Sequence, residues 1–122
     1  MQVLNTSNAV FFDIDGTLVR EINRDDTTYV KTLNGLSISH PLRDGESTRR
    51  ILMGANIQLL RDMHARGRFI IVWSAGGYQW AESVVRALGL EQYVHLIIEK
   101  PIAYVDDLDA SQFMGQRIFL HD

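Results

Sequence analysis

Four short stretches of this chain set chemistry-bearing residues directly after an apolar run. The first is Val10-Phe11-Phe12-Asp13-Ile14-Asp15-Gly16-Thr17-Leu18-Val19. Its apolar part, Ala9 to Phe12, reads as a strand buried on both faces that ends in two acids. A carboxylate at the exit of a buried strand is costly unless something pairs it. Two of them, roughly 7 Å apart along an extended chain, call for a cation between them. Gly16 lets the backbone turn sharply, and Thr17 offers a hydroxyl beside the acids. Asp-Gly is also ordinary turn chemistry, so a strand running into a turn is the plainer alternative for the stretch alone.

The second stretch is Phe69-Ile70-Ile71-Val72-Trp73-Ser74, an apolar strand ending in a hydroxyl. Ala75-Gly76-Gly77 then opens a helix with Ala81, Val84, Val85 and Leu88 on one face and Gly89 closing it. Free backbone N–H groups at such a start suit an anion, and Ser74 can cap the helix at the same time. The third is a strand from Tyr93 to Ile98 that leads into Glu99-Lys100-Pro101. The fourth is a strand, Ile102 to Val105, that ends in Asp106-Asp107, where adjacent acids again call for a cation. Asp109 reads as the start of a short helix, Leu108 to Met114, and Arg117 to Leu120 as a fifth strand.

The remaining elements must position these residues. Leu52, Ala55, Leu59 and Met63 recur at helical spacing, so Ile51 to Arg66 reads as a helix stopped at Gly67 and capped by Ser47 or Thr48. Gly54 inside it costs about 1 kcal/mol against Ala. Thr27 to Leu33 and Leu36 to Ile38 flank Asn34-Gly35, the strongest short signal for a tight β-hairpin. Strands alternating with helices imply a parallel sheet with helices on both faces, and ligands bind beyond the carboxyl ends of its strands. Asp13, Ser74, Lys100 and Asp106-Asp107 each stand at such an end, so one crevice is expected to gather them.

With 122 residues the chain reads as one domain, 1–122. It has no cysteine, which rules out disulfides and thiolate metal sites. No apolar run approaches a membrane span and no signal segment is evident, so a cytoplasmic protein is expected. The net charge of -3 gives no general attraction to nucleic acid or to anionic membranes.

Asp13-Ile14-Asp15-Gly16-Thr17 resembles the first motif of the haloacid dehalogenase superfamily of phosphohydrolases, Asp-x-Asp-Gly-Thr after a buried strand. Ser74 after its strand resembles the second motif, Lys100 the third and Asp106-Asp107 the fourth. The resemblance implies a Rossmann-like three-layer α/β sandwich with a central, mainly parallel five-stranded sheet. It also implies a hairpin flap at about 20–48, a segment too short for a cap domain. The resemblance makes Asp13 the nucleophile, Asp15 the general acid/base, and Ser74, the Ala75 amide and Lys100 the phosphate contacts. It expects Mg²⁺ on Asp13, the carbonyl of Asp15 and Asp107, with Asp106 acting through water or exchanging roles with Asp107. Hard oxygen ligands suit that ion.

The implied reaction is hydrolysis of a phosphate monoester through an aspartyl-phosphate. A phosphotransferase using the same intermediate and a non-catalytic regulatory module are the alternatives. Receiver domains of two-component signalling share the residue types but differ in order, since there the Lys follows every acid. An open, capless site suits a phosphorylated small molecule, such as a sugar phosphate or nucleotide, or a phosphorylated nucleic-acid end. The flap and Arg43-Asp44-Gly45 resemble the layout of octulosonate phosphatases, in which a homo-oligomer forms through the hairpin. Polynucleotide kinase phosphatase domains are the other comparison. Arg20, Arg24, Arg43, Arg49 and Arg50 are candidates for a basic rim, although such residues are more often solvated. Trp73, Tyr78 and Trp80 flank Ser74; core packing for Trp73 and helix surface for the other two is the plainer expectation than stacking on a base.

Overall fold

The computed structural model describes residues 6–21, 35–39 and 47–121. Its strands are β1 (Ala9–Asp13), β2 (Val19–Glu21), β3 (Gly35–Ser39), β4 (Ser47–Leu52), β5 (Phe69–Ser74) and β6 (Leu96–Glu99). The helices are α1 (Gly54–Ala65), α2 (Tyr78–Ala87) and the single turn α3 (Ala110–Phe113), with a 3-10 turn at Glu91–Tyr93.

The centre is the parallel sheet β1-β5-β6. In β5, Ile70 and Val72 are fully buried and Ile71 nearly so, as a strand paired on both edges requires. Helix α2 turns Ala81, Val84 and Val85 onto this sheet, and α1 adds Ile57 and Leu60. Gly67 and Gly89, both with positive φ, end the two helical segments where the sequence places their stops. A second, antiparallel sheet, β2-β4-β3, lays Val19, Ile38, Leu36 and Leu52 on the same core.

The fold is thus a small α/β arrangement of a three-stranded parallel sheet and a separate three-stranded antiparallel sheet, not one five-stranded sheet. Ile102 to Val105 is not a strand: Ile102 and Val105 are fully exposed and the segment joins no ladder among the described residues. Pro101 removes a donor at its start, and the Asp106 carboxylate accepts the Leu108 amide at 3.0 Å, fixing a turn at its end. Arg117 to Leu120 is likewise outside any sheet among the described residues. There the Asn56 side chain both accepts from the Leu120 amide (3.0 Å) and donates to its carbonyl (3.2 Å), in place of a neighbouring strand.

The helix expected from Ile51 begins at Gly54, and Ser47 and Thr48 lie in β4 instead of capping it. Pairing on both edges satisfies the β4 backbone and overrides a helical spacing that rested on Leu52. Starting at Gly54 also moves glycine out of the helix interior, where it would cost most. The strand after Asn34 is present as β3, and it pairs with β4. Residues 27–33, the other half of the expected hairpin, lie outside the described residues. The third expected strand begins at Leu96, since Tyr93 ends the 3-10 turn, and the helix expected over Leu108 to Met114 shortens to Ala110–Phe113. Among the described residues no helix is long and apolar enough to cross a membrane.

Candidate active site

Two buried side chains hold the turn after β1. Ile14 and Leu18 are inaccessible to solvent, and the amides of Thr17, Leu18 and Val19 all donate to the Ile14 carbonyl. Gly16 has φ +83°, a conformation that strains any side chain, and its amide donates to the Val19 carbonyl at 2.7 Å. The apolar residues are therefore anchored while the acids between them are presented at the end of the sheet.

Asp13 lies level with Trp73 in the β1–β5 ladder, and Lys100 follows β6, one strand further over. The Lys100 ammonium passes over the Trp73 ring, 5.7 Å from its centroid, and reaches Asp13 Oδ1 at 3.3 Å. Asp13 Oδ2 accepts from the Thr17 hydroxyl at 3.4 Å. The Lys100 amide donates to the Ser74 carbonyl at 3.0 Å and extends the β5–β6 ladder by one step. Both charged side chains keep about a third of their surface in solvent (36% and 32%), so the pair adds little stability while staying open to a ligand.

Asp15 has a different set of partners. Trp80 Nε1 donates to its Oδ2 at 2.9 Å, and Arg50 Nε lies 3.8 Å from its Oδ1. The Arg50 guanidinium sits 5.4 Å from the centre of the Trp80 ring. Two acids of one pentapeptide thus occupy two separate environments. Trp80 is 7% exposed, not on the helix surface, whereas Tyr78 is 44% exposed, as expected of it. The signal for burying Trp80 is its spacing of four from Val84, since that face of α2 is the buried one. Arg50 alternates with Leu52 along β4 and shares its core-facing side, a position legible only once 47–52 is read as a strand.

Ser74 is 1% exposed, and its hydroxyl accepts from the Gly76 amide at 3.0 Å, shaping the loop into α2. Ala75 is exposed in that loop. A Cβ on Gly76 would lie 3.1 Å from the Trp80 ring and 3.3 Å from the Ser74 hydroxyl, so a side chain there would require these neighbours to give by a few tenths of an ångström. The start of α2 is already occupied by an anion of the chain itself, as Glu99 Oε1 accepts the Tyr78 amide at 3.4 Å.

Asp106 and Asp107 are exposed, outside this group. Among the described residues no three or more His, Asp or Glu side chains gather as a metal-holding set. Magnesium is commonly held by one or two carboxylates together with water and substrate phosphate. The Arg residues do not form one rim: by register, Arg20 and Arg49 face away from Arg50, and Arg24 and Arg43 lie outside the described residues.

Along β1, an edge of its sheet among the described residues, a cavity of about 860 Å³ opens from Asp13, Asp15 and Thr17 to Arg66 and Arg68. Leu59 and Met63 of α1 and the segment Met114 to Phe119 form its other walls. Comparison with protein-family models, with curated proteins and with solved structures finds no match.

Proposed function

We propose that this chain is a phosphatase of the haloacid dehalogenase type, hydrolysing a phosphate monoester through an aspartyl-phosphate on Asp13. The single observation that carries the reading is the Lys100 ammonium at 3.3 Å from Asp13 Oδ1, across the ends of the parallel strands, with Asp15 held separately two residues on. A carboxylate beside a fixed cation at a strand end is suited to receive a dianionic phosphoryl group.

In the first step an Asp13 oxygen attacks phosphorus as the ester P–O bond breaks, and Asp15 gives its proton to the departing oxygen. In the second, Asp15 takes a proton from water as the water oxygen attacks phosphorus, releasing phosphate and restoring Asp13. Lys100 offsets charge on the transferring group throughout, and the amide of Ala75, an exposed residue of the loop after β5, would be a further donor to it. Ser74 acts chiefly by shaping that loop. Bound magnesium would add charge compensation at the phosphoryl oxygens, and the Asp13 carboxylate with the Asp15 carbonyl would hold it. Asp107 and Asp106 would join them only through movement of the exposed segment that carries them. The open cavity suits a phosphorylated small molecule or a phosphorylated nucleic-acid end.

The position of Asp106-Asp107 is the one observation that favours a non-catalytic module instead. Phosphate release from p-nitrophenyl phosphate, sugar phosphates, nucleotides and 3′-phosphorylated oligonucleotides separates the readings. Release that requires Mg²⁺ and falls by about 10³-fold or more in Asp13→Asn and Asp15→Asn is expected. No release from any of them by the folded protein sinks the phosphatase.

A further inference from the structure

The cavity along β1 is far larger than a phosphoryl group requires, and its two ends differ in charge. Its volume of about 860 Å³ lies in the range of sites that enclose a whole small molecule. One end holds Asp13 and Asp15, the only acids among the described residues that line it. The other holds Arg66, Arg68 and Arg117. Helix α1 runs from the first end, where the Met53 amide donates to the Leu18 carbonyl at 2.9 Å, to Arg66 at the second. Its Leu59 and Met63 therefore line the middle, and Met114 and Ile118 of the C-terminal segment keep the other wall apolar. Register gives the span. Arg68 precedes Phe69, which pairs with Ala9, whereas Asp13 is level with Trp73. At about 3.3 Å per residue the ends stand roughly 16 Å apart, less what long arginine side chains take up.

Separate stretches of chain deliver the arginines. Arg66 ends α1 and Arg68 leads into β5; Gly67 between them has φ +81°, and the Arg68 amide donates to the Met63 carbonyl at 3.0 Å, which fixes the turn. Arg117 comes from the segment that Asn56 holds at Leu120, and its guanidinium lies 5.5 Å from the centre of the Phe119 ring. A helix C-terminus favours a nearby cation, which accounts for an arginine at the end of α1. It does not account for Arg117. Among the described residues no carboxylate pairs with any of the three.

We propose that the arginine end is a subsite for a second anionic group of the substrate, a phosphate or a carboxylate. The substrate is then an elongated small molecule with an apolar middle and a charge at each end. The inference rests on the phosphatase reading above and adds which esters it takes. With the scissile phosphate beside Asp13 and Lys100, the leaving group runs along β1 with its carbon chain against Leu59 and Met63. Its far charge meets guanidinium groups, which donate to an oxyanion in pairs. Like charges gathered at one end of a cavity also raise the local concentration of the anion. A nucleic-acid strand fits this cavity less well. It carries a charge at every step of its backbone, whereas the arginines stand at one end and the middle is apolar.

Three esters test the subsite. Octanediol bisphosphate carries a phosphate at each end, carboxyoctyl phosphate a carboxylate at its far end, and octyl phosphate a single charge on a chain of the same length. Calorimetric titration of Asp13→Asn with Mg²⁺ present reads binding without turnover. At least one double-ended ester is expected to bind about tenfold or more tighter than octyl phosphate, and the better of the two names the second group. Arg66→Met, Arg68→Met and Arg117→Met together are expected to reduce that advantage to under about threefold. Arg68→Met alone is expected to cost about threefold, so the test does not depend on the triple variant folding. Equal binding of all three esters, or an advantage that survives loss of the arginines, overturns the proposal. A short 3′-phosphorylated oligothymidylate that binds tighter than either double-ended ester, through the same arginines, would assign the cavity to a nucleic-acid end and overturn the small molecule. Phosphate release from the same esters is read separately on the unaltered chain. Arginine-dependent binding with no release from any ester sinks the phosphatase alone, and the anion subsite stands on the binding.

Discussion

Residues 9–13 and 102–107 look alike as sequence and differ in nearly every physical respect as structure. Each is an apolar run leading into a pair of acids. The first is paired to β5 along its whole length, and its acids meet Lys100, Thr17, Arg50 and Trp80. The second joins no strand among the described residues, exposes Ile102 and Val105 completely, and turns Asp106 onto the amide of Leu108. The residues flanking each run account for the difference. Asp13 and Asp15 alternate with Ile14, and Leu18 comes after them; both are buried and pin the turn to the core. Asp106 and Asp107 are adjacent and their run is preceded by Pro101, so nothing apolar anchors the turn and the run begins without a donor. Acids become a site when the residues between them are held.

The largest expected effect tests this anchoring as stability. Ile70→Ala in β5 removes a side chain with no solvent exposure and is expected to cost about 2–5 kcal/mol in chemical denaturation. Ile102→Ala, the same change on a fully exposed side chain, is expected to stay within about 0.5 kcal/mol. Comparable losses at both positions would mean that 102–105 is packed in solution. Next in size is Lys100→Met. It removes the cation from Asp13 Oδ1 and is expected to lower phosphate release by about 10²-fold, read against p-nitrophenyl phosphate, with little change in melting because the ion pair is partly exposed.

Much of the parallel sheet is legible in the sequence because its strands are continuous apolar runs. Phe69 to Ser74 and the helix after it lie where the spacing puts them, and Lys100, a lone cation in a loop by sequence, meets Asp13 because its strand neighbours β5. What is not legible depends on partners distant in the chain. Ser47 to Leu52 carries no apolar alternation, and only its two neighbours make it a strand. Arg50 therefore gives no sign of facing inward. The Trp80–Asp15 bond joins residues 65 apart in sequence, and no spacing rule expresses it. Asp106-Asp107 shows the converse, a local pattern that its tertiary surroundings do not take up.

A smaller effect is expected at those acids, and it bears directly on the contrast between the two runs. If 102–107 works in the exposed arrangement, Asp106→Asn and Asp107→Asn each lower Mg²⁺-dependent phosphate release by less than about tenfold, since Mg²⁺ can be held by one or two carboxylates with water. A loss in Asp107→Asn as deep as that of Asp13→Asn would show that the segment closes on the site during turnover. Titrating Mg²⁺ separates the cases further: closure makes the Asp107→Asn defect shrink as the ion is raised, because a lost ligand weakens binding first.

The smallest effect lies on α2, where Tyr78 and Trp80 present the same contrast within one turn. Trp80 gives its N–H to the carboxylate of a distant strand end, whereas Tyr78, at the surface, leans on Glu82 of its own helix. The hydrogen bond to Glu82, and then the charge of that carboxylate, raise the phenol above its ordinary value of 10.0, with Arg86 opposing. A raised value means that the folded state holds the proton more tightly than the unfolded chain does. The associated stability is thus fully present below pH 10 and is lost as pH rises through the folded value. Phenolate absorbance is expected to show a late-ionising step that disappears in Tyr78→Phe. The small stability difference between the two proteins is expected to vanish over the same alkaline interval. A step that survives Tyr78→Phe would belong to another tyrosine. Phosphate release near neutrality is expected to be unchanged by Tyr78→Phe, because a pair formed within one helix surface does not reach Asp15.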